Sequence, residues 1–300
     1  MGGPVSAAGN TLVSVVIPVY NRPQKILEAV QSVQAQTVSD WEMVLVDDGS
    51  KDDTPQVLRE LEKRDRRIRA VFQENRGAQA ARNAGIRAAR GEWVAFLDSD
   101  DTWMSRSLEL RLAKAAAEKI SVVYSTGTIV LSDGTKEPYR PQGPSGYIYR
   151  DVLNSEGPMF QTLLVRKTAL ERIGLLDERI VSFQEWDTSI QLARHFHFSF
   201  IPEPTYVYDC RGTDVISKQF RRAAIGYEQV VRKNLWPMLL YLGPTGLARH
   251  CESAALWYEK AEDVAAARRC RLARRLWSGL SPTQYLRKIV SFFNKVKQGM

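Results

Sequence analysis

The chain has 300 residues, of which 44% are hydrophobic and 25% charged, an ordinary globular composition that excludes a disordered or fibrous protein. Its formal charge of +8 is uneven: residues 216–300 hold 16 Lys+Arg and 5 Asp+Glu, a net +11, whereas the first 215 residues hold 26 and 29, a net −3. Three cysteines without a CxxC pair exclude a disulfide framework and suit a reducing, cytoplasmic setting, and no run approaches the ~18 apolar residues of a spanning helix. The expectation is a soluble or membrane-peripheral protein with no secretory leader.

Residues 1–10 are small and polar and read as a flexible leader. Val13–Ile17 reads as a buried β-branched strand closed by Pro18, and Asn21 with Pro23 predicts the cap and first turn of a helix carrying Ile26, Ala29, Val30 and Val33. A second strand, Met43–Val46, runs into Asp47-Asp48-Gly49-Ser50. Thr54-Pro55 opens a second helix. A third strand, Ile68–Phe72, precedes Asn75-Arg76-Gly77 and an Ala-rich helix over 78–89; a fourth, Trp93–Leu97, ends at Asp98-Ser99-Asp100-Asp101. Four strand–helix alternations with short turns predict an α/β fold whose central sheet is mostly parallel, with helices on both faces. Such sheets bind ligands beyond the carboxyl ends of their strands, where Asn21, Asp47, Asp48, Asp98, Asp100 and Asp101 all fall.

Beyond Asp101 the pattern predicts a helix over 105–119, a strand over 121–124, a hairpin turning at Asp133-Gly134, and a strand over 162–165. A short helix over 168–173 follows, then a helix opened by Gln184-Glu185-Trp186-Asp187 and a strand over 198–201. From about Lys218 the chain reads as helical, broken at Pro237, Gly243-Pro244 and Ser281-Pro282. His195, His197 and His250 lack metal-ligand spacing and read as structural.

Asp98-Ser99-Asp100 after a buried strand is the strongest chemical signal. Two carboxylates at i and i+2 on a turn can reach Mg²⁺ or Mn²⁺, hard cations that take oxygen donors and keep positions open for phosphate. An Asp helix cap is the plainer reading of the same residues. Asp47 suits a hydrogen bond to a nucleotide base or ribose, and Pro18 and Tyr20 can pack around a base. Neither G-x-G-x-x-G nor G-x-x-x-x-G-K follows the first strand, which argues against a dinucleotide fold and a P-loop.

These segments together resemble the family 2 glycosyltransferases of GT-A fold. The resemblance rests on Val13–Asn21, Val46–Ser50, Asn75–Gly77 with Ala81-Arg82-Asn83-Ala84-Gly85, and Phe96–Asp101. It continues through Thr162–Arg166, Ile173–Glu178 and Gln184–Asp187, and covers about residues 11–217. It implies an inverting enzyme that moves a sugar from a nucleotide-diphosphate donor, first of all a UDP-sugar, to a hydroxyl of a glycan or lipid-linked glycan. Pro18, Tyr20 and Asp47 would line the base and ribose pocket and Asp98 would sit near the ribose. Arg76 and Arg211 would approach the diphosphate and Asp100 would hold the metal. Glu185 would take the general-base position, where the family usually has Asp. A second departure is Thr213, where the family often has His after Arg-x. These two departures keep open an inactive nucleotide- or glycan-binding module; a nucleotidyltransferase is the other alternative, although its Gly-rich, Lys-containing loop is missing.

The expected organisation is thus a leader (1–10), a GT-A domain (11–217) and a basic helical region (218–300). From Val264 to Met300 there are 9 Lys+Arg and no acid, and Ser281-Pro282-Thr283-Gln284 is a capping box before a helix with Tyr285, Leu286, Ile289, Phe292, Phe293 and Val296 on one face. Such a tail suits the anionic inner face of a membrane, or packs on the catalytic domain with its charges solvated. Nucleic acid is not expected as a partner.

Overall fold

The computed structural model describes residues 13–139, 145–209, 219–279 and Gln284. The predicted leader, Cys210, Arg211, Thr213 and the predicted helix after Gln284 lie outside the described residues. Two compact units result.

The first unit is built on one nine-stranded sheet. In chain order its elements are β1 (Val13–Val19), α1 (Lys25–Gln34), β2 (Trp41–Asp47), α2 (Thr54–Arg64), β3 (Ile68–Phe72), α3 (Ala78–Ala88), β4 (Trp93–Phe96) and β5 (Thr102–Trp103). There follow α4 (Ser107–Glu118), β6 (Val122–Val130), β7 (Lys136–Tyr139), a 3-10 turn (Phe160–Thr162), β8 (Leu164–Arg166), α6 (Lys167–Arg172), α7 (Gln184–Ala193) and β9 (Phe198–Asp209); α5 (Tyr149–Asn154), between β7 and the 3-10 turn, belongs to the second unit except for Tyr149. The strand order is β3-β2-β1-β4-β8-β6-β9-β5, with β7 paired to β6. β3, β2, β1 and β4 run parallel, as the β/α alternation predicts, and β6 pairs parallel with β9; β8, β5 and β7 pair antiparallel.

Register sets the site. Val19 lies beside Asp47, and Val16 beside Phe96, so the carboxyl ends of β1, β2 and β4 share one rim. β1 and β2 are buried on both faces, mostly by apolar residues, because helices cover both, as parallel sheets require. The main core gathers Val13, Val15, Ile17, Ile26, Trp41, Met43 and Leu45, and Val44, Val46 and Ala81 form a second cluster.

α3 approaches β1 closely. A Cβ placed on Gly85 would stand 2.3 Å from Val16 Cγ1. Gly85→Ala is therefore expected to lower stability by about 1–3 kcal/mol through overpacking. Urea unfolding measures this, and Val16→Ala added to Gly85→Ala should recover part of the loss.

Three local expectations are revised. Asn21 does not cap α1, which begins at Lys25 after Gln24 without a side-chain cap. Asn21 instead adopts a left-handed φ of 50°, which asparagine tolerates, and serves another loop described below. Thr102-Trp103 forms strand β5 against β9, so the turn at Asp98–Asp101 feeds a strand and the helix α4 starts only at Ser107. β9 runs eight residues beyond the predicted end.

The second unit contains residues 150–156 and 180–183 with α8 (Phe220–Lys233), α9 (Leu235–Lys260) and α10 (Val264–Ser278). Pro237 does not break α9. It lies in the first turn, where its missing N–H has no intrahelical acceptor to lose. Gly243 does interrupt it, at φ 71° and ψ −177°, so α9 is two helices joined at a kink before Pro244. His250 is structural, as expected: its Nε2 donates to Leu153 O at 2.9 Å, leaving Nδ1 to accept from Tyr227 Oη at 2.8 Å. Burial pulls its pKa down to about 4, so it stays neutral at neutral pH. Among the described residues no helix is long and apolar enough to cross a membrane.

Candidate active site

The loops after β1 and β2 are tied together at the rim. Asn21 N–H donates to Ser50 Oγ at 2.9 Å, Asn21 Oδ1 accepts from Lys51 N–H at 2.9 Å, and Arg22 N–H donates to Thr54 Oγ1 at 2.9 Å. Pro18 is the penultimate residue of β1, and Tyr20 just beyond the strand keeps 45% of its surface exposed. An exposed aromatic ring on a tethered loop is available for stacking.

Asp47 and Asp48 are both buried, with different duties. Asp48 is spent on the fold: Oδ1 accepts from Gln73 Nε2 at 2.7 Å and Arg76 N–H at 2.9 Å, and Oδ2 from Gly77 N–H at 2.8 Å. It thereby fixes the start of α3. Asp47 has only long contacts to Ser50 N–H, at 3.3 and 3.4 Å, and retains acceptor capacity. Gly49 is required between them and Ser50, since at φ 74° a Cβ would lie 2.7 Å from Asn75 N.

Arg76 reaches across to Glu178, with Nη2 to Oε2 at 2.7 Å. The segment carrying Glu178 is held on α3 by Asn83, whose Nδ2 donates to Leu176 O and to Glu178 Oε1, both at 2.9 Å.

The turn after β4 is the electrostatic centre. Asp98 accepts from Arg82 Nη2 at 2.6 Å on one oxygen and from Gln161 Nε2 at 2.7 Å on the other. Gln161 Nε2 also donates to Asp101 Oδ2 at 2.6 Å. Arg82 is buried, packs over the Phe160 ring at 4.4 Å, and reaches Gln184 Oε1 at 3.4 Å. Gln161 is itself anchored from behind. Arg111, fully buried and with no carboxylate partner among the described residues, donates to the carbonyls of Gln161 (3.3 Å), Leu163 (3.0 Å) and Ser107 (3.1 Å), and to Ser107 Oγ at 2.6 Å. Burial draws its pKa down to about 9.

Asp100 is exposed, yet partial desolvation, then the Asp98 charge, raises its carboxyl, while Arg22 and Lys25 oppose the rise. Asp101 is buried, and desolvation followed by the charges of Asp98 and Asp100 pushes its carboxyl well above the ordinary range. Its Oδ1 is buried without a partner. Three acids share this turn, but both oxygens of Asp98 are engaged, so Asp100 and the orphaned Asp101 Oδ1 are the oxygens a hard divalent cation would take. Among the described residues no group of three His, Cys, Asp or Glu side chains is placed to hold a metal ion. The remaining positions would thus fall to phosphate oxygens and water, as is usual for Mg²⁺.

Glu185 is the second residue of α7, half-buried. Desolvation raises its carboxyl; Arg82 opposes the rise and Asp98 reinforces it. A carboxylate so raised is a stronger base once ionised.

The structure therefore places Asp47 and Tyr20 on the shared rim, and Asp98 and Asp100 on the turn after β4. Electrostatic coupling links Glu185 to Arg82 and Asp98. Arg211 lies outside the described residues. Sequence reasoning missed Arg82 and Gln161, which hold Asp98, and Arg22 and Lys25, the cations nearest in influence to Asp100. Arg82 was visible within Ala81–Gly85. Its pairing with an acid 16 residues later was not.

The family model for glycosyl transferase family 2 matches residues 14–173. The chain belongs to glycosyltransferase family 2. It is 39% identical over 145 residues to the putative teichuronic acid biosynthesis glycosyltransferase TuaG of Bacillus subtilis, with 48% of this chain and 58% of that protein covered. It is 32% identical over 160 residues to the UDP-Glc:alpha-D-GlcNAc-diphosphoundecaprenol beta-1,3-glucosyltransferase WfgD of Escherichia coli, covering 53% of this chain and 62% of that one. The match thus spans about three-fifths of the length of these two curated relatives. Among solved structures, the mannosyltransferase PcManGT of Pyrobaculum calidifontis, in complex with GDP-Man and Mn²⁺, superposes with a TM-score of 0.61 at 19% identity, covering 94% of this chain and 79% of that one. S. aureus TarS 1-349 in complex with UDP-GlcNAc gives 0.60 at 17% identity, covering 88% and 91%. At these identities the likeness speaks for the fold, which is that of GT-A glycosyltransferases.

Proposed function

We propose that this glycosyltransferase moves a sugar, with inversion, from a nucleotide-diphosphate sugar to a hydroxyl of a glycan or lipid-linked glycan. The observation that carries the reading is the pairing of an acid turn fit for a cation–diphosphate with a separate, desolvated carboxylate at Glu185. Direct displacement needs both: a base at the acceptor hydroxyl and neutralisation of the departing nucleoside diphosphate. An inactive binding module would have no use for a base raised by burial.

In this reading Tyr20 and Pro18 pack on the base, Asp47 and Asp98 meet base and ribose, and Arg76 exchanges Glu178 for phosphate, with Arg211 assisting. Arg22 and Lys25 add positive charge on the same rim. Asp100, with Asp101 behind it, would hold Mg²⁺ or Mn²⁺, whose chemistry there is to neutralise the diphosphate. Glu185 takes the acceptor proton. The acceptor class is supported by the diphosphoundecaprenol substrate in the WfgD name and a part in polysaccharide biosynthesis by the TuaG name; UDP-sugars stand first because WfgD and TarS are named with them. A domain over 11–217 would carry this chemistry.

The test is thermal shift with a panel of UDP- and GDP-sugars, with Mn²⁺, with Mg²⁺ and with EDTA, followed by transfer assays on the best donor. One donor class should stabilise the protein by several degrees with metal, and by less in EDTA or in Asp100→Asn. Equal stabilisation with and without metal would remove the cation from the reading. The absence of any donor response would remove the reading itself.

A further inference from the structure

α10 has two unlike faces. On an ideal helix Ala266, Cys270 and Ala267 share one side, and these small residues are buried against the rest of the helical unit. The opposite side carries Val264, Arg268, Leu272, Arg275 and Leu276 within an arc of about 120°. Val264 is 75% exposed, Leu272 52% and Leu276 73%. Three large aliphatic side chains in one line on a surface helix are not needed by the unit's own core.

The arginines of α10 divide in the same way. Arg269 pairs with Glu228 at 3.2 Å, Arg274 with Glu252 at 2.9 Å, and Arg271 with Glu259, so these three serve the helical unit. Arg268 and Arg275, which stand in the aliphatic line, have no hydrogen-bond or ion-pair partner among the described residues for their side chains. From Val264 to Met300 the sequence contains no acidic residue to supply one.

We propose that this outer face of α10 docks on an anionic lipid bilayer. The aliphatic side chains would enter the headgroup boundary, while Arg268 and Arg275 lay their apolar stems along it and bring their guanidinium groups to lipid phosphates. The charge pattern favours an extended anionic surface: Arg268 and Arg275 stand on a 37-residue stretch that contributes no acid of its own, and such cations are drawn to a sheet of phosphates more strongly than to a single acidic side chain. Such a bilayer would also carry a lipid-linked acceptor, which rests on the reading above. The docking itself does not.

The full chain is sedimented with vesicles of phosphatidylglycerol and phosphatidylcholine, and with phosphatidylcholine alone. Retention is expected only on the anionic vesicles. Arg268→Glu/Arg275→Glu should weaken it by at least about tenfold, and Leu272→Ser/Leu276→Ser should weaken it comparably. Arg64→Glu/Arg66→Glu, which makes the same charge change on exposed residues of the other unit, should leave it within about twofold. Circular dichroism melts check each variant, and Arg268→Gln/Arg275→Gln replaces the reversal if that variant fails to fold. The proposal is overturned if the wild type is not retained, if the α10 variants bind like wild type, or if they convert a stable oligomer to monomer, which would make the stripe a contact between copies. The vesicles hold no acceptor, so their result is independent of the transfer chemistry, which a soluble acceptor tests separately.

Discussion

Glu185→Gln should reduce kcat by about 10²–10⁴-fold while leaving donor affinity within about twofold, because the amide keeps the shape of the side chain and cannot take a proton. The wild-type pH profile carries a second expectation. Glu185 has its carboxyl raised above the ordinary glutamate value of 4.5, chiefly by desolvation, and only its ionised form accepts the acceptor proton. Activity should therefore rise with pH along an acid limb displaced above 4.5, then level once the carboxyl is ionised. In Glu185→Gln that limb should vanish. Glu185→Asp, with the length usual in the family, should retain the limb and part of the rate. Steady-state kinetics with calorimetric donor binding decides the matter, and undiminished transfer by Glu185→Gln would assign the base elsewhere.

Arg82→Leu should be the most costly single change in the acid cluster, lowering stability by about 2–4 kcal/mol. The Arg82 side chain is only 6% exposed and that of Asp98 30%, so their pair is largely shielded, and removing one partner leaves the other charge poorly compensated. The estimate sits below the usual 3–5 kcal/mol for a buried pair because Asp98 keeps some contact with water. Lysine should not rescue the site, since it lacks the planar group that packs on Phe160 while donating to Asp98. Chemical denaturation measures the stability. Donor binding measured on the folded fraction should weaken as well, because Asp98 loses one of its two fixed donors.

The parallel half of the sheet was readable because each strand there is a short β-branched run and each helix has its own apolar stripe. These are local signals, and the acids at strand ends followed from them. Asn21 shows where local reasoning stops. Asn before Pro23 is a good cap in isolation, but Ser50 and Lys51 offer better partners 29 and 30 residues away. Gln161 is the stronger case. A glutamine in a 3-10 turn carries no chemical signature, and its importance comes from Asp98 and Asp101, 63 and 60 residues before it. The length of β9 was hidden by Pro202 and Pro204, which read as strand-breaking yet are accommodated where its pairing with β6 shifts register.

The Gln161 contact has a consequence for the order in which the molecule is assembled. The pairings of β1 to β4, and Arg82 with Asp98, form among residues that emerge early in synthesis; Gln161 and its support on Arg111 join only after 60 more residues have been made. Until then Asp98, Asp100 and Asp101 face one another with Arg82, Arg22 and Lys25 to offset them. Contacts of such sequence separation close late because their loop entropy is met last. The acid turn is thus the part of the sheet that matures after its scaffold, and a nascent chain that stops before the 3-10 turn would have the rim without the finished geometry of that turn.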